Sequence, residues 1–307
     1  MSYTKLTFFY FFTAPCRNKK YIIGIGRATV ERFAQEPNYT IYATGLHEQQ
    51  LNEAFPEDQY PQVIPFKLDV ADFLRNWDII DYIFTEHGGL DVLINNAGIM
   101  RLGPLRRFWS TDDGKRQSYN LFVVNCFGPT LLMAATLSHM RERGSGTIIN
   151  ILSSSYFQPH WPGLQYAESK RLFMRIAQNY YREEKRAQSG VRIVSIQPGR
   201  VNNTTIDDDS WIEGTPPLAR EAAQAILDPV RRRVGMEPET IAQVLYDVAE
   251  GQRKENYIIV GNDAKLSTAL SYIPGWPLLF QFGFAALTEM VKAKLLLQRK
   301  LRKNNHE

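Results

Sequence analysis

Two kinds of apolar pattern alternate along this chain. Short runs of β-branched and aliphatic residues, such as LDVLIN and GTIINI, are typical of strands that are buried on both faces. Between them lie longer stretches in which apolar residues recur every three or four positions, as in amphipathic helices. The patterns predict strands over 40–44, 63–68, 92–95, 147–151, 192–196 and 257–260, and helices over 27–35, 71–86, 118–143, 166–188 and 238–250. This order predicts an α/β protein with a doubly wound parallel sheet, helices on both faces, and ligands bound beyond the carboxyl ends of the strands.

Both ends of the chain carry an apolar segment. Residues 6–12 (LTFFYFF) are too short to span a membrane and lack the flanks of a secretory signal, so they read as a buried strand. Near the other end, Pro274, Gly275 and Pro277 interrupt the apolar stretch 266–287, which predicts an amphipathic segment that packs on the domain or lies on a bilayer surface. We therefore expect three parts: an atypical segment over 1–23 with a first strand and an irregular loop, a main α/β domain over 24–262, and an apolar and basic extension over 263–307.

The composition narrows the class of protein without identifying it. With 44% hydrophobic and 22% charged residues, the chain can form a full core and is not expected to be disordered. The net charge is only +4, and part of it comes from the run over 299–303, which we interpret as a solvated tail rather than a nucleic-acid surface. The two cysteines, Cys16 and Cys126, exclude a disulfide framework and have no metal-ligand spacing. We expect a cytoplasmic protein without a bound metal or a nucleic-acid partner, with peripheral membrane contact and homo-oligomerisation left open.

Three short segments beside predicted strands have the chemistry of a dinucleotide site. Gly24, Ile25 and Gly26 open a predicted helix, where a glycine turn lets backbone N–H groups approach a pyrophosphate; the alternative is a tight turn without a ligand. Asp69 and Val70 follow the third apolar run, and Asp69 is placed either to hydrogen-bond an adenine amino group or to cap the next helix. After the strand over 92–95, small residues and an amide allow the backbone to lie along an adenosine ribose: Asn96, Ala97 and Gly98.

Tyr166 and Lys170 are four residues apart and therefore share one face of a predicted helix. A free tyrosine has a pKa of about 10 and is a poor acid–base catalyst at neutral pH. A nearby ammonium and a positively charged nicotinamide would both favour the phenolate and lower that pKa. The alternative is an exposed Tyr/Lys pair that only stabilises its helix.

Taken in order, the segments GIG, LDV, NNAG, VNCFG, a serine after the fifth apolar run, YAESK and PGRV resemble the short-chain dehydrogenase/reductase family. The resemblance covers roughly residues 24 to 261. It implies a Rossmann fold, NADP or NAD as cofactor, and reversible hydride transfer between that cofactor and a carbonyl or secondary alcohol.

The resemblance also implies a role for each matching residue. Tyr166 is the proton donor or acceptor, and Ser153, rather than Ser154, holds the substrate oxygen. Lys170 holds the nicotinamide ribose hydroxyls, and Asn125 holds a water that links Lys170 to solvent. The loop PGRV lies over the nicotinamide carboxamide and contributes Pro198, Gly199 and Val201. The dinucleotide half comprises Gly24, Ile25, Gly26, Asp69, Val70, Asn96, Ala97 and Gly98.

The chain departs from the family pattern before the GIG turn. The family has Thr-Gly at the end of its first strand, whereas Lys19 and Lys20 occupy those positions here. Either the loop carries an insertion, or residues before about 22 come from an incorrect gene model, which is the explanation we favour. Because this change bears on cofactor affinity, the alternative function is a catalytically impaired, dinucleotide-binding or scaffolding member of the family.

The sequence is less informative about the substrate than about the cofactor. The segment 202–234 should cover the pocket, and an apolar substrate that is lipid-, steroid- or retinoid-like is favoured by Trp211, Ile212 and Leu218 together with Tyr156, Phe157 and Trp161. The same residues fit a core equally well. No carboxylate closes the second strand at residues 43–47, so we expect NADP(H) to be preferred over NAD(H), with charge supplied by Arg27 and by Lys19 or Lys20.

Overall fold

The computed structural model describes residues 5–10, 22–157, 162–202 and 210–304. Seven parallel strands form one sheet in the order β3-β2-β1-β4-β5-β6-β7. Their bounds are β1 Lys5–Tyr10, β2 Tyr39–Gly45, β3 Val63–Lys67, β4 Val92–Asn95, β5 Gly146–Ile151, β6 Val191–Pro198 and β7 Tyr257–Val260. The helices are α1 Ile25–Phe33, α2 Glu48–Ala54, α3 Phe73–His87, α4 Leu105–Ser110, α5 Asp112–Phe122, α6 Gly128–Arg143, α7 Leu164–Ala187, α8 Pro217–Val234, α9 Pro238–Ala249, α10 Asn262–Ser271 and α11 Trp276–Asn304.

The strand order reverses beside β1, which is the third of the seven strands in the sheet and pairs with both β2 and β4. In a doubly wound sheet, the strands on the two sides of such a point lead to helices on opposite faces and leave a crevice beyond their carboxyl ends. The predicted doubly wound α/β fold is confirmed, and the crevice lies where the candidate residues follow their strands.

Each face of the sheet buries its own hydrophobic core. In β4, Leu93 contributes to one core, whereas Val92 and Ile94 contribute to the other. Helix α3 packs beside α6, and α1 packs beside α9. Burial on both faces explains why β4 reads as an unbroken apolar run.

The predicted helix over 118–143 is wrong as a single element. The chain forms α5, then a π-helical turn at Val123–Phe127, and then α6. A turn of this kind inserts one extra residue without interrupting the apolar pattern, so periodicity alone cannot reveal it.

Several short or terminal helices were not predicted. In α2, for example, Leu51 is the buried residue, which leaves too few apolar positions to create a periodic signal. Among the described residues, one helical run, Asp112–Arg143, is long and apolar enough to cross a membrane, and 67% of its apolar window is buried inside the protein.

Candidate functional site

The crevice begins at the amino end of α1. Gly24 precedes this helix with a φ of 78°, a conformation that favours glycine, and Gly26 is buried in the first turn. No acidic side chain lies in that turn. The backbone N–H groups of a helix start are therefore available to an anion such as a pyrophosphate.

Tyr166 lies in the first turn of α7 and is buried in the core, and the Ser153 side chain is close enough to its hydroxyl to lower its pKa. The Ser153 hydroxyl also lies 2.9 Å from that of Ser155. Ser153 is thus the serine that acts on the tyrosine hydroxyl, and its role in holding the substrate oxygen stays a prediction. Burial raises the pKa of Tyr166, and Ser153 offsets this only in part. This direction is opposite to the lowering expected from a nearby ammonium and a nicotinamide, because burial is the largest influence on this pKa in the protein itself.

Lys170 is buried one helical turn after Tyr166. Its Nζ donates a hydrogen bond to the Ile151 carbonyl at 3.1 Å, and burial lowers the pKa of its ammonium to about 8. A Cβ added at Gly98 would lie 3.3 Å from Nζ, so the last residue of NNAG leaves room for the lysine. Because both side chains are buried, the alternative interpretation, an exposed Tyr/Lys pair that only stabilises its helix, is wrong.

Asn125 lies in the π-helical turn and is fully buried. Its Oδ1 accepts from the Ile99 N–H at 2.8 Å, and its Nδ2 donates to the Ile99 carbonyl at 2.8 Å. Nδ2 also donates to the Ser169 hydroxyl at 3.0 Å, which in turn donates to the Tyr166 carbonyl at 2.7 Å. These bonds supply the tertiary compensation that an asparagine within a helix requires.

Sequence reasoning missed Ser169, which connects Asn125 to the helix that carries Tyr166. The available signal was a small hydroxyl residue three positions after the tyrosine and one before the lysine. That position faces inward at helical spacing, but a serine there is not distinguishable from a packed core residue without the partner element.

Beyond β3, Asp69 is exposed, and its Oδ1 accepts from the Ala71 N–H at 2.9 Å. Helix α3 begins at Phe73, and its N-cap is Asp72, which accepts from the Arg75 N–H at 3.3 Å. The helix-cap alternative for Asp69 is therefore wrong. The adenine contact stays a prediction.

Packing and one side-chain hydrogen bond fix Val70 and the NNAG turn. Val70 is buried against Gly128, where an added Cβ would collide with it. Beyond β4, Ala97 is buried, and Asn96 and Gly98 are partly exposed. The neighbouring Asn95 donates to the Asn150 side chain at 2.9 Å and ties β4 to β5. These contacts bring the NNAG turn to the mouth of the crevice.

The loop over 198–201 follows β6. The Gly199 N–H donates to the Val260 carbonyl at 2.8 Å, and the Arg200 N–H donates to Oδ2 of Asp263 at 2.7 Å. Val201 is buried and forms an isolated β-bridge with Met236. Asn203 and Thr204, which follow this loop, lie outside the described residues, as do Lys19 and Lys20.

On the substrate side, the Leu102 N–H donates to the Ser210 carbonyl at 2.5 Å, and the Ile212 N–H donates to the Leu102 carbonyl at 2.9 Å. These bonds fix residues 210–212 beside the turn that follows NNAG. Ile212 is buried against Gly103, whereas Trp211 is half-buried. Trp161 and residues 207–209 lie outside the described residues, and of Tyr156 and Phe157 only the backbone is described, in the 3₁₀ turn Ser154–Phe157.

Within the described parts of the chain, no group of three histidine, cysteine, aspartate or glutamate side chains could hold a metal ion. Cys126 is a free thiol buried in the core, and burial raises its pKa to about 11. Cys16 lies outside the described residues.

Comparison with known proteins identifies the family. The sequence profile of the short chain dehydrogenase family matches residues 22–213. An uncharacterized oxidoreductase of Staphylococcus epidermidis is 28% identical over 204 residues, which cover 66% of this chain and 85% of the relative. A 3-oxoacyl-(acyl-carrier-protein) reductase of Thermotoga maritima is 27% identical over 249 residues, with 79% and 93% covered. A solved short-chain dehydrogenase structure from Streptomyces avermitilis matches with a TM-score of 0.68 at 22% identity, over 98% of this chain and 99% of that one. The chain therefore belongs to the short chain dehydrogenases, a family of NAD(P)-dependent oxidoreductases.

Proposed function

We propose that the protein catalyses reversible hydride transfer between NADP(H) and the carbonyl or secondary alcohol of an apolar compound. The observation that carries this proposal is the buried Tyr166 hydroxyl beside Ser153, with the Lys170 ammonium buried one turn further along α7. The glycine turn before α1, the room beside Gly98 and the loop over 198–201 fit a dinucleotide.

Each residue contributes one part of the reaction. When bound, the nicotinamide ring supplies a hydride to the carbonyl carbon or accepts one from the alcohol. Tyr166 delivers its hydroxyl proton to the carbonyl oxygen in the reductive direction and takes it back in the oxidative one. Ser153 donates to that oxygen as negative charge develops. Lys170 and Asn125 return the proton to Tyr166 from solvent.

An apolar substrate is supported by the residues around the mouth of the crevice. Leu102 and Ile212 are joined there by one backbone hydrogen bond, and Leu218 is partly buried nearby in sequence. The Thermotoga relative, by its name, reduces the oxo group of an acyl chain, which is itself apolar. The lipid-, steroid- or retinoid-like class is our proposal for this chain.

The preference for NADP(H) rests on the end of β2. That strand ends at Gly45, and the first carboxylate after it is Glu48, in the first turn of α2. Arg27 is paired with Glu31 at 2.7 Å, so its charge is only partly available to a 2′-phosphate. We expect a modest preference, which steady-state kinetics with NADPH and NADH will measure.

Purified protein assayed for cofactor oxidation against a panel of apolar and polar ketones tests the reaction. We expect turnover with NADPH and an apolar ketone, and loss of about 100-fold or more in Tyr166→Phe, because the proton donor is gone while the ring still packs. Tyr180→Phe is the matched control and should keep parental activity. A Tyr166→Phe variant that binds cofactor and turns over at the parental rate would rule out the mechanism.

We also propose that the protein is cytoplasmic and that it contacts membranes peripherally through α11. One face packs on α8, with Thr288 buried and Arg299 paired with Glu221. Another face exposes Leu287, Met290 and Leu297, and the helix carries six lysine or arginine residues from position 292 onward against a single carboxylate. Such a surface favours anionic lipid.

Cosedimentation with vesicles tests this contact. We expect binding to vesicles containing phosphatidylserine, weaker binding to phosphatidylcholine alone, and loss on replacing the three exposed apolar residues with serine. Equal recovery with no vesicles and with anionic vesicles would contradict it. A shift to a defined dimer that the serine variant abolishes would instead assign the face to the homo-oligomer.

A further inference from the structure

Asp263, in the first turn of α10, lies directly behind the loop over 198–201. Its Oδ2 accepts from the Arg200 N–H at 2.7 Å. Its Oδ1 is buried and has no hydrogen-bond donor among the described residues. A Cβ at Gly199 would collide with this carboxylate, and a Cβ at Gly261 would come within 2.7 Å of it. Two glycines therefore make space for one acidic side chain.

The loop is held at several points. Besides the bond to Asp263, the Gly199 N–H donates to the Val260 carbonyl at 2.8 Å, and Met236 donates to the Arg200 carbonyl at 2.9 Å. The Asn202 N–H donates to the Met236 carbonyl at 2.8 Å. Of these four bonds, the one to Asp263 is made by a side chain, and it is charge-assisted, which makes it stronger than a neutral bond. The amino end of α10 further favours the carboxylate.

We propose that Asp263 is a positioning residue for the nicotinamide half of the cofactor, acting through the backbone of the loop over 198–201. The inference rests on the proposed function, in which this loop lies over the nicotinamide. Residues that serve the adenosine half follow β1, β3 and β4, whereas this loop follows β6. Loss of Asp263 therefore weakens binding of the nicotinamide half and leaves the adenosine half unaffected.

Two ligands distinguish binding of the nicotinamide half from binding of the adenosine half. One is the oxidised dinucleotide that the parent binds more tightly, NADP⁺ or NAD⁺. The other is the matching ADP-ribose fragment, with or without the 2′-phosphate, which lacks the nicotinamide. Calorimetric titration gives the Kd of each for the parent and for Asp263→Ala, Asp263→Asn and Gly199→Ala. Glu239→Ala is the control, because Glu239 is likewise an acidic residue in the first turn of a helix, α9, but it is exposed.

We expect Asp263→Ala to raise the Kd of the dinucleotide about tenfold or more and to leave that of the fragment within about twofold. Asp263→Asn should restore most of the affinity, because its amide oxygen can accept from Arg200. Gly199→Ala, which displaces the carboxylate, should repeat the alanine pattern if Asp263→Ala does not fold. Glu239→Ala should match the parent.

Equal weakening for dinucleotide and fragment, or no weakening of either, would overturn the positioning role while the proposed function stands. A parent protein that binds neither ligand would overturn the proposed function itself, and this inference with it.

Discussion

At the residue scale, burial favours the neutral form of both ionisable groups in the site. It raises the pKa of the Tyr166 hydroxyl and lowers that of the Lys170 ammonium to about 8. The spacing of the two residues predicts that they share a helix face, but not that the face is buried. Burial depends on α5, the π-helical turn and β5, which are distant in sequence, so no local pattern encodes it.

Replacing Lys170 with methionine should change how stability depends on pH. The pKa of this lysine falls from 10.5 to about 8 on folding, so between these values the unfolded chain binds more protons and stability rises with pH. Below about pH 8 the parent buries a charged ammonium, a cost of about 3 kcal/mol, which the methionine avoids at the loss of one hydrogen bond worth about 1 kcal/mol.

We therefore expect Lys170→Met to be inactive and yet more stable by about 2 kcal/mol near pH 7, with the advantage disappearing towards about pH 10. Urea unfolding across this range measures the difference. Lys67→Met, at an exposed lysine, is the control and should follow the parent at every pH. A stability difference for Lys170→Met that does not vary with pH would show that the ammonium is not held at a lowered pKa.

At the element scale, the π-helical turn Val123–Phe127 connects the parts of the candidate site. It lets Asn125 reach both backbone groups of Ile99 and, through Ser169, the helix that carries Tyr166. The turn therefore joins the segment after β4 to α7. The sequence offered one clue to it, a polar asparagine inside an apolar helical pattern, and the predicted continuous helix ignored that clue.

Asn125→Ala should accordingly destabilise the protein as well as impair turnover. The substitution removes three buried hydrogen bonds and leaves the Ile99 N–H and carbonyl without these partners, at a cost of about 2–4 kcal/mol. Chemical unfolding at neutral pH measures the change. Asn179→Ala on α7 is the control, because this exposed asparagine only accepts from Arg182, and it should alter stability by less than about 0.5 kcal/mol. A similar, small effect from both substitutions would mean that the turn does not depend on the asparagine.

At the scale of the whole molecule, the strands of the sheet were more predictable from the sequence than the C-terminal helices and the loop contacts around the sheet. The bounds of β4 and β7 agree with the prediction to the residue, because both are short apolar runs between clear breaks. The C-terminal helices were not assigned, since their apolar residues serve both packing and an exposed face. Asp263 was missed because a carboxylate near a helix start looks like an ordinary first-turn residue until the loop it supports is in view.

The connection from β1 to α1 affects the whole molecule, because it leads from an interior strand of the sheet to the proposed pyrophosphate site. Strand β1 ends at Tyr10, opposite Asn95, and α1 begins at Ile25. The family resemblance places Thr-Gly where Lys19 and Lys20 stand. A lysine there adds a Cβ where the family has a bare backbone, and it would crowd the approach of a pyrophosphate.

We expect the protein to bind dinucleotide weakly, and a variant with residues 11–23 replaced by Thr-Gly and three further residues to bind at least about tenfold more tightly. The same shortened loop carrying Lys-Lys in place of Thr-Gly is the matched control, since it separates loop length from loop chemistry. Titration by nicotinamide fluorescence measures all three proteins. If only the Thr-Gly variant gains affinity, the two lysines limit binding, whereas a gain by both variants assigns the effect to loop length. Tight and equal binding by all three would show that the natural connection already forms a working site and that our expectation of weak binding is wrong.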